Sequence, residues 1–204
     1  MLAILAGPDG GAQEGAVEVV PGISLPPSGM VWVLTTAEGK PTLLPIQEHA
    51  ASLNKHKGGA NALAGFTRGR ASVDVPEPHA VLRLESGTPV FLARVYAKDN
   101  AGRDTASFPA GSFYQVIRMQ VRKKVREVHM LDYAGGRNQK VDRYDDVFPT
   151  EAKRVEGTPW LKIVPTIPIP PGEYAVEVKM ADPNSYSMAI WDFGIDGKNR
   201  VPTR

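Results

Sequence analysis

The feature that most constrains this chain is a period of two in its apolar residues, the period of a β-strand. Tyr174, Val176, Val178 and Met180 alternate with Ala175, Glu177 and Lys179. Phe113, Ile117, Met119 and Val121 point one way and Arg118, Gln120 and Arg122 the other, with Gln115 as a lapse on the apolar side. Ala80, Leu82 and Leu84 share a face. Met30-Val31-Trp32-Val33-Leu34 is a wholly apolar run between Pro26-Pro27-Ser28-Gly29 and Glu38-Gly39-Lys40-Pro41, both turn sequences, and residues 42–47 suit a hairpin partner. Further strands are expected at Val90–Tyr96, Trp160–Val164 and Met188–Ile195. Gly 20 and Pro 18 supply the turns that many short strands need.

Only Ile46–Lys57 has helical character, through Ala50, Ala51 and Leu53, with Gly58-Gly59 to stop it. No helix-sized segments alternate with the strands, which argues against βαβ architectures. The expected fold is all-β: a single-domain antiparallel β-sandwich, or barrel-like, with about ten strands and one short helix at residues 47–57. The expected core is Trp32, Leu34, Leu82, Leu84, Phe91, Val95, Ile117, Met119, Tyr174, Val176, Val178 and Phe193.

With 204 residues the chain is long enough to bury a real core. It has no cysteine, which excludes disulfides, thiolate metal sites and thiol nucleophiles. A net charge of +2 argues against a dedicated nucleic-acid binder. No segment is long and apolar enough to span a bilayer as a helix. The start, Met1-Leu2-Ala3-Ile4-Leu5-Ala6, is apolar and is broken by Gly7-Pro8-Asp9-Gly10-Gly11-Ala12. Two readings stand. Residues 1–12 are the remnant of a truncated secretory signal, with small residues Gly10 and Ala12 preceding a cleavage before Gln13. Alternatively, they are an ordinary first strand and turn. The first reading places the protein outside the cytoplasm and the second leaves it inside; residues 13–204 form one β-rich domain on either.

The C-terminal third runs Ile167-Pro168-Ile169-Pro170-Pro171-Gly172-Glu173-Tyr174-Ala175-Val176, then Trp191-Asp192-Phe193-Gly194-Ile195-Asp196. It resembles the ending of a group of uncharacterised, mostly exported bacterial β-rich proteins. The strand Val116–Val128 and the segment Leu25-Pro26-Pro27-Ser28-Gly29-Met30 resemble other parts of the same proteins. The resemblance implies export and a β-rich fold, and it implies no activity.

Candidate sites are few. His49 and His56 are seven apart, wider than the i, i+4 histidine pair of a zinc helix, so solvated histidines are the expectation there. Asp142, Asp145 and Asp146 with Glu151 lack the glycine and the alternating oxygens of a calcium loop and read as a polar hairpin tip. Asp192-Phe193-Gly194 matches a kinase triplet by letters only, since the remaining kinase motifs are missing. Gly-x-Ser-x-Gly, phosphate-loop and dinucleotide fingerprints do not occur. No catalytic, cofactor-binding or metal-binding residue is therefore assigned.

Two surface readings remain. Arg118, Arg122, Lys124 and Arg126 share one strand face, which would grip a polyanion weakly and without sequence preference; the alternative is a solvated outer face. Trp191 with Tyr186 would make an aromatic contact for a sugar; the alternative is core packing. The expected function is a non-catalytic exported interaction or assembly domain, meeting a protein partner or a second copy through sheet edges. An enzyme or binding module for cell-wall or other polysaccharide is the alternative. Sequence-specific nucleic-acid binding is not expected.

Overall fold

The computed structural model describes residues 18–26, 28–37, 39–56, 68–85, 87–98, 104–134, 140–180 and 187–197. The expected signal remnant and Gln13, and Tyr186, lie outside these residues. The fold is all-β, and the non-strand elements among the described residues are single 3-10 turns at Thr105–Ser107 and Ala110–Ser112.

Three sheets form. A small ribbon pairs β1 (Glu18–Val20) with β2 (Ile23–Ser24). A five-stranded antiparallel sheet runs, in spatial order, β14 (Thr150–Arg154), β15 (Trp160–Pro165), β9 (Val90–Arg94), β3 (Val31–Ala37) and β4 (Lys40–Pro45). The large sheet runs β5 (Glu48–Ala50), β17 (Ala189–Ile195), β16 (Gly172–Val178), β10 (Tyr114–Val121), β11 (Val125–Ala134), β7 (Arg68–Pro76) and β6 (Ser52–His56). Three short pieces join it. β8 (Arg83–Leu84) lies parallel to β17, β12 (Lys140–Tyr144) pairs with β11, and β13 (Val147–Phe148) pairs with β10.

The large sheet curls on itself. β5 and β6 are consecutive in sequence, separated only by Ala51, yet they pair with strands at opposite ends of the spatial order, β17 and β7. One bent segment thus brings the two edges together into a nearly closed barrel. This is the segment whose alanines and leucine predicted a helix. The weak helix propensity of a short segment yields to the pairing that both sheet edges offer it.

Curling gives β10, β16 and β17 two buried faces. Their outer face, with Tyr114, Val116, Tyr174, Val176, Trp191 and Phe193, packs against Val31, Val33, Phe91, Ala93, Leu161 and Ile163 of the five-stranded sheet. Tyr174 stacks on Phe193 at 5.8 Å between centroids, and Phe193 lies 4.9 Å from Phe91. Their inner face, with Ile117, Met119, Ala175 and Ile190, joins Ala51, Val73, Val75 and Val128 inside the barrel. Alternation along β16 therefore separates one core from another rather than core from water.

Of the expected core, Leu84, Phe91, Val95, Ile117, Met119, Tyr174, Val176 and Phe193 are buried, while Trp32, Leu34, Leu82 and Val178 are half-buried. On β3 the buried face is Val31 and Val33 instead of Trp32 and Leu34. A strand apolar at every position carries no in–out signal. The Trp32 indole settles at the rim, donating to the Ser28 carbonyl at 2.9 Å across the turn at Gly29. Gly29 has φ 89, and a Cβ there would sit 2.8 Å from the indole nitrogen, so both backbone and space require glycine.

Candidate functional site

The inner face of the barrel also carries charge. Glu173, Ala175 and Glu177 share that face of β16, Asp192 follows Ile190 on β17, and Gln115 precedes Ile117 on β10. β11 supplies Arg126 and His129 on either side of an irregularity in its register with β7. The side chains of Arg126, Glu173, Glu177 and Asp192 are each 4 % exposed or less and His129 is fully buried. An unpaired charge in such a place would cost many kcal/mol, so each must have a partner.

Two clusters meet that requirement. In the first, Arg126 donates through Nη1 to Asp192, although three steps of the sheet separate their strands, so the pair reaches across the interior. Its Nη1 is 3.8 Å from Glu173 Oε2, and its Nε and Nη2 donate to the carbonyls of Glu77 (3.0 Å) and Pro76 (3.1 Å). Glu173 also accepts from Arg83 Nη1 (2.5 Å) and the Ala80 amide (2.9 Å), and Arg83 donates to Asp196 at 2.6 Å. His49 and His79 each turn Nδ1 toward a carboxylate of this cluster, His49 to Asp192 and His79 to Glu173 at 3.2 Å. In the second cluster, His129 lies between Asp145 and Glu177, 2.8 Å from each, and Gln115 donates to the other oxygen of Glu177 at 2.5 Å. Burial alone pulls the His129 pKa down; the two carboxylates outweigh it and raise it.

The loop after β7 is strained where Arg126 grips it. Glu77 adopts φ 67 in the left-handed region, although it is not glycine and precedes Pro78. The two carbonyls held by the buried guanidinium flank this residue and fix the conformation, which sets His79 over Glu173. Gly194 leaves the room in which the Arg83 guanidinium lies. A Cβ there would come 1.7 Å from Nη1 and 2.1 Å from Cζ. Gly194→Ala is therefore expected to displace Arg83 from Glu173 and Asp196 and to lower stability by about 1–2 kcal/mol, read as a lower urea midpoint with unchanged slope.

The basic stripe does not survive intact. Arg118, Arg122 and Lys124 are exposed, but Arg126 is turned into the barrel and buried, because the β10–β11 hairpin places it on the inner face opposite Val75. Arg122 donates to Glu127 at 3.0 Å. Asp145 turns inward to His129, and Asp146 meets Arg118 through its backbone carbonyl, 2.8 Å from the Arg118 amide. Trp191 is 3 % exposed and edge-on to Tyr114 at 6.2 Å; strand alternation seats it in the core with Phe193, so it is no platform for a sugar. Of the two histidines expected in solvent, His49 is half-buried and faces Asp192, and the side chain of His56 is outside the described residues.

Sheet edges are also poorer templates than expected. The Ile46 amide donates to the Val31 carbonyl, so the even residues of β4 face β3 and positions 41, 43 and 45 face outward. Two of these are Pro41 and Pro45, which leaves Leu43 as the one outward amide of β4. At the other edge, the segment before β10 lies over β14: Arg154 donates to the carbonyls of Thr105 (2.5 Å) and Phe108 (3.2 Å) and sits 5.3 Å above the Phe113 ring.

Chemically, the clusters can hold a fixed proton at His129 and orient a proton acceptor at His49, whose Nδ1 faces Asp192 while its side chain is 26 % exposed. Among the described residues no group of three or more histidine, aspartate or glutamate side chains is gathered to hold a metal ion, and no helix is long and apolar enough to cross a membrane. No family model, curated protein or solved structure matches the chain.

Proposed function

We propose that this chain is a non-catalytic exported interaction or assembly domain. The observation that carries the reading is that the two most buried basic side chains among the described residues, Arg126 and His129, are each committed to carboxylates within the barrel and withdrawn from solvent. Such groups fix a shape; a general acid or base must also reach a substrate. Recognition then falls to faces and loops, since the edges at β4 and β14 are blunted. Val81 (86 % exposed) and Ile167 (53 %) are large apolar side chains set on loops beside the barrel strands. Photo-crosslinking residues at positions 81 and 167, in the host, are expected to capture a discrete partner, while one at position 153 captures none. Equal, diffuse labelling at all three would overturn the reading. Export predicts a native mass beginning near Gln13; a cytoplasmic product retaining Met1 would refute it.

The His49–Asp192 pair favours a second reading, an enzyme or binding module for polysaccharide, with His49 as proton acceptor. That reading expects new reducing ends from a cell-wall polysaccharide, lost in Asp192→Asn.

A further inference from the structure

We infer that the β10–β11 hairpin tip is a binding site for an acidic polysaccharide, an inference that rests on the interaction-domain reading and names the class of partner. The register Val121↔Arg126 leaves Arg122 and Val125 closing a tight turn, with the Arg122 amide donating to the Val125 carbonyl at 2.8 Å. Lys123 and Lys124 are its two tip residues. All three cations, Arg122, Lys123 and Lys124, are exposed. Arg122 is steadied by Glu127 at 3.0 Å and by Gln120 at 3.2 Å, both on the outer face. Neither lysine has an ion-pair partner among the described residues. Arg118 lies on the same face of β10 as Arg122, four residues back and exposed. From Arg118 to the tip is about 16 Å of extended strand, a ridge that spans several anionic groups of a linear polymer.

The polymer is expected to be a saccharide rather than a single-stranded nucleic acid, because among the described residues the ridge presents no exposed aromatic ring for bases to stack on. Tyr114, the aromatic residue on this face of β10, is buried at the far end, its hydroxyl donating to the Arg94 carbonyl at 2.6 Å. The ridge also differs from the stripe that alternation suggested: Arg126 leaves it and Lys123 joins it.

The test uses the full chain and fluorescence-detected binding of heparin over a range of salt. Affinity is expected to fall steeply with salt. Lys123→Gln/Lys124→Gln should weaken binding about tenfold at low salt and make the log–log salt slope shallower by about two units, one for each released counterion lost. Lys40→Gln/Lys153→Gln removes the same charge from exposed positions on the five-stranded sheet and should change little. Equal losses in the two variants would reduce the effect to net charge and overturn the site, as would no loss in either. Tighter binding of single-stranded DNA than of heparin would overturn the saccharide. Crosslinks from positions 81 and 167 are read separately: if they persist while heparin binding fails, the hairpin inference falls and the interaction-domain reading stands.

Discussion

Arg126→Met is expected to destabilise the protein by about 3–5 kcal/mol, the cost of leaving a buried charge without its partner. Methionine replaces the aliphatic stem and its flexible thioether can adapt to part of the space left by the guanidinium, so lost volume is the smaller part of the effect. The larger part is Asp192, 1 % exposed on β17, whose remaining partner is the His49 ring. Glu173 suffers less, because Arg83 and the Ala80 amide still reach it. The carbonyls of Pro76 and Glu77 lose their donors too, and Glu77 then has less to hold it in the left-handed region. The double variant Arg126→Met/Asp192→Leu removes both charges and leaves His49 to be hydrated from its exposed side. It should be more stable than Arg126→Met alone. Urea denaturation of the two variants and the parent checks both statements. A single variant within about 1 kcal/mol of the parent would show the interior charges to be solvated after all.

The same residue shows how much of this molecule can be read from its sequence. In Val116–Val128 the alternation is correct: Ile117 and Met119 face one way and Arg118 faces the other. What alternation cannot show is that β10 is covered on both faces, by the five-stranded sheet outside and by its own curled sheet inside, since strand period reports which residues share a side and not what covers it. Glu177 thus reads as outward on β16 although it is buried, and Gln115 reads as a lapse although it is the donor that Glu177 requires. That lapse was the available signal: a polar residue on an apolar face calls for a buried partner. Arg126 and His129 were hidden for another reason. The tight turn at Lys123-Lys124 and the irregularity between Glu127 and His129 decide which residues of β11 point inward, and neither is legible from spacing alone. The closing segment β5–β6 reads as a helix because its strand character comes from distant partners, β17 and β7, and not from its own residues.

The second buried cation has a sharper consequence because it titrates. Both ring nitrogens of His129 are 2.8 Å from carboxylate oxygens, of Asp145 and Glu177. Carboxylates accept and do not donate, so both nitrogens must carry protons and the ring is an imidazolium. Its pKa is raised although burial opposes the charge, because the two carboxylates favour it more. In the unfolded chain the same ring titrates near the ordinary value of about 6.5. The stabilisation from this proton is therefore complete below about pH 6.5 and is lost as the pH rises through the higher folded value. The unfolding free energy from urea denaturation should accordingly be level near pH 6 and decline on the alkaline side, by about 1.4 kcal/mol for each unit by which the folded pKa exceeds the unfolded one. His129→Gln cannot supply two positively charged donors. It leaves Glu177, 1 % exposed, without the His129 cation and should cost about 3–5 kcal/mol near pH 6. The difference between parent and variant should then shrink as the parent loses its proton, and chemical shifts of the His129 ring carbons should follow the same transition. A pH-independent difference across pH 6 to about 9.5, with the ring neutral at pH 7, would show that the barrel is held by packing and not by this charge.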